Sequence, residues 1–342
     1  MHYGLILRSI TVILREGETV IMKLGVFTVL LGAQPLEEAL VYLKDKGVQM
    51  VEIGCGGYPG TAHCDPAVLL HDQAALQAYL DTITRYGMQI SALSVHANPV
   101  HPDKEVAKRF DTEMRDCVLL AEKLGVHQIN TFSGCPGDSE HSKYPNWVTC
   151  PWPEDYKKVL EWQWNEVLIP YWKEFVMFAR DHGVTKIALE PHPGFCVYNT
   201  ATMLRLRAAV GSEIGANLDP SHLLWQGMDP VRVIRELGDC IFHFHAKDTK
   251  IDRYNTAVNG VLDTGHYGNE IERSWIFRTV GYGSDLQLWR DIMSSLRMVG
   301  YDYVVSIEHE DSLMSADEGL SKAIAFLKEA MITEQSGGMW WA

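Results

Sequence analysis

The chain predicts an α/β fold, a (β/α)8 barrel with long loops after its fourth and seventh strands. Three observations carry this. Short runs rich in apolar or β-branched residues, bounded by turn residues, recur along the chain. Helix-period stretches lie between them, and repeated βα alternation implies a parallel sheet covered by helices. The turn after the first strand, "FTVLLGAQPLEE", has no G-x-G-x-x-G, which argues against an open nucleotide-binding sheet.

The strands are expected at "KLGVFTV" (23–29), "QMVEIG" (49–54), "QISALSV" (89–95), "HQINTFS" (127–133), "KIALEP" (186–191), "IGANLD" (214–219), "CIFHFHA" (240–246) and "YVVSIEH" (303–309). Helical stripes follow at "PLEEALVYLKDKG", closed by Gly47, and at "DKEVAKRFDTEMRDCVLLAEKLG", closed by Gly125. The long stretch "PEDYKKVLEWQWNEVLIPYWKEFVMFARDHG" contains Pro170, which is expected to kink or split it. Further helices are read at "TATMLRLRAAVG", "DPVRVIRELG", "SDLQLWRDIMSSLRMVG" and "SADEGLSKAIAFLKEAM". One barrel domain over 22–335 is expected, preceded by an extension (1–21) with Met22 as the natural start, and followed by a tail (336–342).

Two connections exceed plain loops: 134–152 after the fourth strand and 247–283 after the seventh. Loops that follow strands gather at the barrel face where sites are built. They bring Trp147, Trp152, Trp275, Arg278 and Tyr282 to that face as lids or substrate walls.

Composition narrows the function classes. The 342 residues are 46% hydrophobic and 22% charged, with net charge −14 from 44 acids against 30 Lys and Arg. Such a surface repels phosphate backbones, so nucleic acid is not an expected partner. Seven scattered cysteines without a CxxC pair read as reduced thiols of a cytoplasmic protein. No apolar run is long enough for a bilayer, and no membrane partner is expected.

In a closed barrel, Glu190, Asp219, His245 and Glu308 end the last four strands and face one centre. Three neighbouring carboxylates repel one another unless a cation neutralises them. One divalent metal ion is therefore expected. The O3N donor set favours Mn2+ foremost, with Mg2+, Co2+ or Zn2+ as alternatives. An acid at a strand end is usually only solvated; the signal is the quartet. His243, two residues from His245, reads as a satisfied core histidine, and Glu310 as a rim group beside Glu308.

"LEPHP", "NLDPSHLLWQG", "FHFHAKDT" and "SIEHED", in this order and spacing, resemble the xylose isomerase-like TIM barrels. That group contains sugar phosphate isomerases/epimerases, ketose 3-epimerases, inosose dehydratases and endonuclease IV. The resemblance runs from about residue 23 to about residue 330 and places the metal ligands on Glu190, Asp219, His245 and Glu308. It puts His222 in contact with substrate near the metal. His96, Arg278 and Trp147 are further candidate substrate contacts, and neither Arg253 nor Arg278 matches the spacing of the epimerases' arginine.

What the resemblance implies is proton abstraction next to a carbonyl, through a metal-stabilised enediolate, as in sugar isomerases and epimerases. Glu308 is the first choice for base, Glu190 its opposite-face partner, and Lys247 and His192 supply protons or hold hydroxyls. The same enediolate can instead expel a β-substituent, as in inosose dehydration or cleavage of 3-keto-glycosides, C-glycosides included. The expected substrate is an unphosphorylated sugar, keto-sugar or glycoside. An endonuclease IV-like cluster would draw on His63, His96, His101 and His127, and a non-catalytic subunit would have lost ligands. A homo-oligomer or heteromeric partner subunit is compatible with the group.

Overall fold

The computed structural model describes residues 21–335, 337–339 and 341. All of the expected extension except Ile21, and part of the expected tail, lie outside the described residues.

Eight parallel strands close into a barrel. In chain order they are β1 (Lys23–Phe27), β2 (Met50–Gly54), β3 (Gln89–Ser94), β4 (Gln128–Thr131), β5 (Lys186–Leu189), β6 (Ile214–Leu218), β7 (Ile241–Ala246) and, after a separate hairpin, β10 (Val304–Ile307). Closure comes from β1, which pairs with β2 on one side and β10 on the other. Gly25 permits that seam: a Cβ there would stand 2.3 Å from Val304 Cγ2.

The helices are α1 (Leu36–Asp45), α2 (Pro66–Leu69), α3 (Gln73–Arg85), α4 (Lys104–Leu124), α5 (Glu154–Trp162), α6 (Ile169–Asp181), α7 (Thr200–Val210), α8 (Pro220–Trp225), α9 (Pro230–Leu237), α10 (Arg253–Asn259), α11 (Leu286–Met298) and α12 (Ala316–Ala330). Helix α3 was not among the expected stripes. Only Leu76 and Ile83 on it are fully buried, so its apolar periodicity is thin. Between α5 and α6 the chain makes a π-helical segment, Gln163–Leu168, and Pro170 sits in the first turn of α6. The proline's missing N–H is thereby placed where the hydrogen-bond ladder is already re-registered, so the helical path continues through it.

The 247–283 connection is a structured element. Strands β8 (Asp248–Ile251) and β9 (Trp275–Arg278) pair antiparallel, with α10 between them. The Asp248 carboxylate accepts from the backbone N–H groups of Gly281, Gly283 and Ser284, the Ser284 hydroxyl and the Trp289 indole. This ties the hairpin to α11.

The apolar core lies mainly between sheet and helices, with Leu40, Leu43, Trp172, Phe175 and Trp289 among its largest members. The barrel interior is polar. Glu52, Ser94, Asn130, Asn217, His243 and Ser306 are all fully buried there and hydrogen-bonded to one another. Buried polar groups are tolerable when satisfied in this way.

Candidate metal and active site

The four expected ligands converge. Glu190, Asp219, His245 and Glu308 each present a donor atom within 4.8 Å of the others. Local sequence explains each placement. Glu190 is the first residue beyond β5, and its N–H is still held by Thr131 O at 2.9 Å. The chain then turns through Pro191 and Pro193, with Gly194 at φ +97°. Asp219 is the N-cap of α8: one oxygen accepts from Ser221 N at 2.7 Å, and Pro220 occupies the first turn. That leaves Asp219 Oδ2 for the site and brings His222, one turn on, back to within 3.4 Å of it.

The imidazoles organise the carboxylates. His222 Nε2 donates to Glu190 Oε1 at 2.9 Å, and His96 Nε2 lies 3.1 Å from Glu190 Oε2. His245 Nδ1 stands 3.0 Å from Glu308 Oε2 and 3.5 Å from Glu190 Oε2. Lys247 Nζ is 2.8 Å from Glu308 Oε2, 3.1 Å from Asp219 Oδ2 and 3.0 Å from Glu310 Oε2.

Charge sets the protonation of these groups. Burial pushes the Glu190 carboxyl up, but His222, His245 and His96 outweigh it and hold it well below the usual range. Glu308 is likewise held at about 2, burial being outweighed by Lys247 and His245. Asp219 is raised by burial, assisted by Glu190 and Glu308, against the pull of Lys247 and His222. Burial alone would lower His245 and Lys247, yet the surrounding carboxylates, Glu52 first for His245 and Asp219 first for Lys247, raise both well above their ordinary values.

The residues fit a divalent cation. Asp219 Oδ2 and Glu308 Oε2 are buried without a well-directed hydrogen bond, although the Lys247 ammonium lies against both. Orphaned carboxylate oxygens facing one imidazole nitrogen are the donor set of a hard or borderline cation.

The remaining expected contacts divide. His96 and His222 reach Glu190. His192 packs on His222 with ring centroids 4.1 Å apart and points Nδ1 at Pro193 O, 2.6 Å away. Burial, reinforced by His222, lowers it to about 3. Trp147 joins His192 and His222 in lining a cavity of about 230 Å³. Trp152 is 76% exposed, and Trp275 stacks on Trp225 at 4.6 Å. Arg278 is not brought to the quartet: its Nε is 3.0 Å from Asp311 Oδ2, because β9 directs it toward the segment after β10. Of the histidines considered for a nuclease cluster, only His96 reaches the centre; His63, His101 and His127 bond to backbone atoms of Gln34, Asp103 and Gly183. His243 is satisfied by Asn217 and Ser91, and burial lowers it to about 4.

Three features of the site escaped the sequence reading. Glu52, from the middle of β2, accepts from His245 Nε2 at 2.9 Å. Phe277 and Tyr267, stacked at 5.9 Å, wall both the 230 Å³ cavity and a neighbouring one of about 440 Å³ that also touches His192 and Glu310. The available signals were an acid inside "MVEIG" and the aromatic alternation of "SWIF". A larger cavity of about 690 Å³ lies between the loops after β3 and β4 and is lined neither by the quartet nor by His192 or His222, which border the two smaller cavities, so volume alone does not locate the chemistry.

A family profile described as the xylose isomerase-like TIM barrel matches residues 40–330. The chain belongs to that family. The uncharacterized protein YfiH of Bacillus subtilis (strain 168) is 39% identical over 312 residues, covering 91% of this chain and 99% of its own. Among solved structures, the probable 3-DHS dehydratase AsbF of Bacillus anthracis matches with TM-score 0.60 at 17% identity, over 90% of this chain and 99% of its own. A D-tagatose 3-epimerase-like protein matches with TM-score 0.59 at 19% identity, over 90% and 98%. The IolI protein, solved with a zinc atom bound, matches with TM-score 0.59 at 20% identity, over the same shares. At these identities the structures show the shared fold.

Proposed function

We propose that the protein is a divalent-cation-dependent sugar isomerase or epimerase that abstracts a proton next to a carbonyl. The observation that carries this is the quartet itself, with two of its buried carboxylate oxygens lacking directed hydrogen bonds, next to His222, which bonds Glu190 and lines an aromatic-walled cavity. The epimerase-like and zinc-bound structural relatives support the reading. Glu190, Asp219, Glu308 and Nδ1 of His245 would hold the cation, Mn2+ foremost. When bound, it supplies Lewis acidity toward a substrate carbonyl and the charge that stabilises an enediolate.

The residues around it divide the remaining work. Glu308, whose Oε2 borders Lys247, is the base, and Glu190, held ionised by His96 and His222, serves the opposite face. Lys247 donates a proton or a hydrogen bond to the developing oxyanion. His192 has its Nδ1 proton committed to Pro193 O, so its Nε2 is left as an acceptor for a substrate hydroxyl. The cations around the cavity are already paired: Lys247 with three carboxylates, Arg273 with Asp263 and two carbonyls, Arg278 with Asp311. Among the described residues that leaves no spare cation in the wall for a phosphate, which favours a neutral sugar.

A second reading is β-elimination from a 3-keto-glycoside or an inosose-type substrate. The wall of Phe277, Tyr267 and Trp147 favours it, since these rings suit a bulky leaving group, and the probable 3-DHS dehydratase AsbF has the same fold. Metal analysis followed by incubation in D2O separates the readings. Deuterium in a recovered ketose or its epimer supports isomerase chemistry, whereas loss of aglycone or water to give an enone supports elimination. Full activity of Glu308→Gln without divalent metal overturns both.

A further inference from the structure

We infer that Glu52 is a positioning residue that, once a cation is bound, holds His245 as the Nε2–H tautomer with its Nδ1 lone pair aimed into the quartet. The inference rests on the proposed cation site and concerns a residue outside it. Both Glu52 oxygens lie within hydrogen-bond distance of His245 Nε2, at 2.9 and 3.0 Å. The carboxylate accepts only, so Nε2 carries a proton, and a cation bound among the quartet would take the lone pair of Nδ1. The opposite nitrogen, Nδ1, is the one that meets Glu190 and Glu308.

The other polar neighbour of the ring does not compete. Asn217 Nδ2 lies 3.2 Å from Nε2 and 3.4 Å from Nδ1. Near-equal distances put it beside the ring and along neither lone pair. Its carbonyl is taken by His243 Nδ1 at 2.9 Å.

Glu52 is itself held from the other strands: Ser94 Oγ donates at 2.6 Å, Asn130 Nδ2 at 2.9 Å and Ser306 Oγ at 2.8 Å. With His245, donors from β3, β4, β7 and β10 therefore converge on one fully buried carboxylate of β2. An unsatisfied charge in this position would be very costly, and the ring of donors makes it rigid. A carboxylate behind a ligating imidazole orients the ring and raises its basicity, and its loss typically costs about 10–100-fold in metal affinity.

The test uses the full-length protein, stripped of metal and titrated with Mn2+ and Zn2+ by calorimetry, with circular dichroism and melting to confirm folding. Glu52→Gln should weaken divalent affinity by about 10–100-fold, while Ser306→Ala, which removes one donor to Glu52 and leaves its contact with His245, should change it far less. Nitrogen-15 NMR of the zinc-loaded wild type should show His245 protonated at Nε2, with that proton strongly hydrogen-bonded. If wild type binds the cation and folded Glu52→Gln binds it equally well, the inference fails while the cation site stands. If wild type binds no divalent cation, the site and the inference fall together. If Glu52→Gln does not fold, the NMR assignment decides: a proton on Nδ1 overturns the inference, and one on Nε2 supports it.

Discussion

Lys247 Nζ and Glu308 Oε2 are 2.8 Å apart, and the same ammonium is 3.1 Å from Asp219 Oδ2. A buried lysine thus shares two carboxylates with the expected cation site. Its positive charge opposes cation binding, and its N–H donors serve catalysis. Lys247→Met should therefore leave Mn2+ affinity undiminished or increased. Turnover should fall by about 10²–10⁴-fold, the range for loss of a general acid. Calorimetry and steady-state kinetics on one preparation read both effects; unchanged turnover would remove Lys247 from the mechanism.

Cation binding should stabilise the fold, because it relieves repulsion among Glu190, Asp219 and Glu308. At a free cation concentration 100-fold above Kd, linkage gives about 2.7 kcal/mol. Chelator-stripped protein should show a Tm that climbs with added Mn2+, and His245→Asn or Glu308→Gln should abolish the climb. A Tm indifferent to Mn2+, Zn2+ and Co2+ would mean that the quartet holds no cation.

The quartet was legible because each member follows an apolar run that must be a buried strand, and only the barrel's own geometry can bring four such ends together. All eight barrel strands were readable for the same reason, with ends trimmed by a residue or more, as in β4 (Gln128–Thr131) against the expected 127–133. Glu52 shows in the sequence only as an acid inside an apolar run: its reason is a ring of donors from four other strands, which sequence adjacency does not reveal. The β8–β9 hairpin was hidden for a related reason. "DTKI" and "WIFR" are short and more than twenty residues apart, and Asp248, which anchors the hairpin, takes its donors from residues 281–289. Arg278 looked like a substrate contact because its partner Asp311 belongs to another strand's exit.

Phe277 stands between Lys247, 4.6 Å from its ring centroid, and Tyr267 in the cavity wall. It touches substrate in the proposed reading without joining the proton transfers. Phe277→Ala should raise KM about two- to tenfold, equivalent to a lost ring contact of about 0.5–1.5 kcal/mol, with a smaller change in kcat. The rise should be larger for a substrate with a bulky substituent than for a free ketose. Equal effects on both would assign the ring to shaping the hairpin alone.

Asp311 couples the hairpin to the barrel, accepting from Thr279 N at 2.8 Å, Arg278 Nε at 3.0 Å and Leu313 N at 2.9 Å. Burial pushes its carboxyl up, but these donors outweigh it and bring it below its ordinary value of 3.8. His309 is the other ionisable neighbour that senses its charge. Because the folded-state value is depressed, the stabilisation is fully present above pH about 4, where the unfolded chain is also ionised, and is lost as pH falls through the lowered folded value. Asp311→Asn should therefore be less stable than wild type at pH 7, and the gap should close progressively below pH about 4. Urea unfolding across pH 3–7 measures it. A gap that stays constant down the acid limb would show that the Asp311 charge does not hold the hairpin.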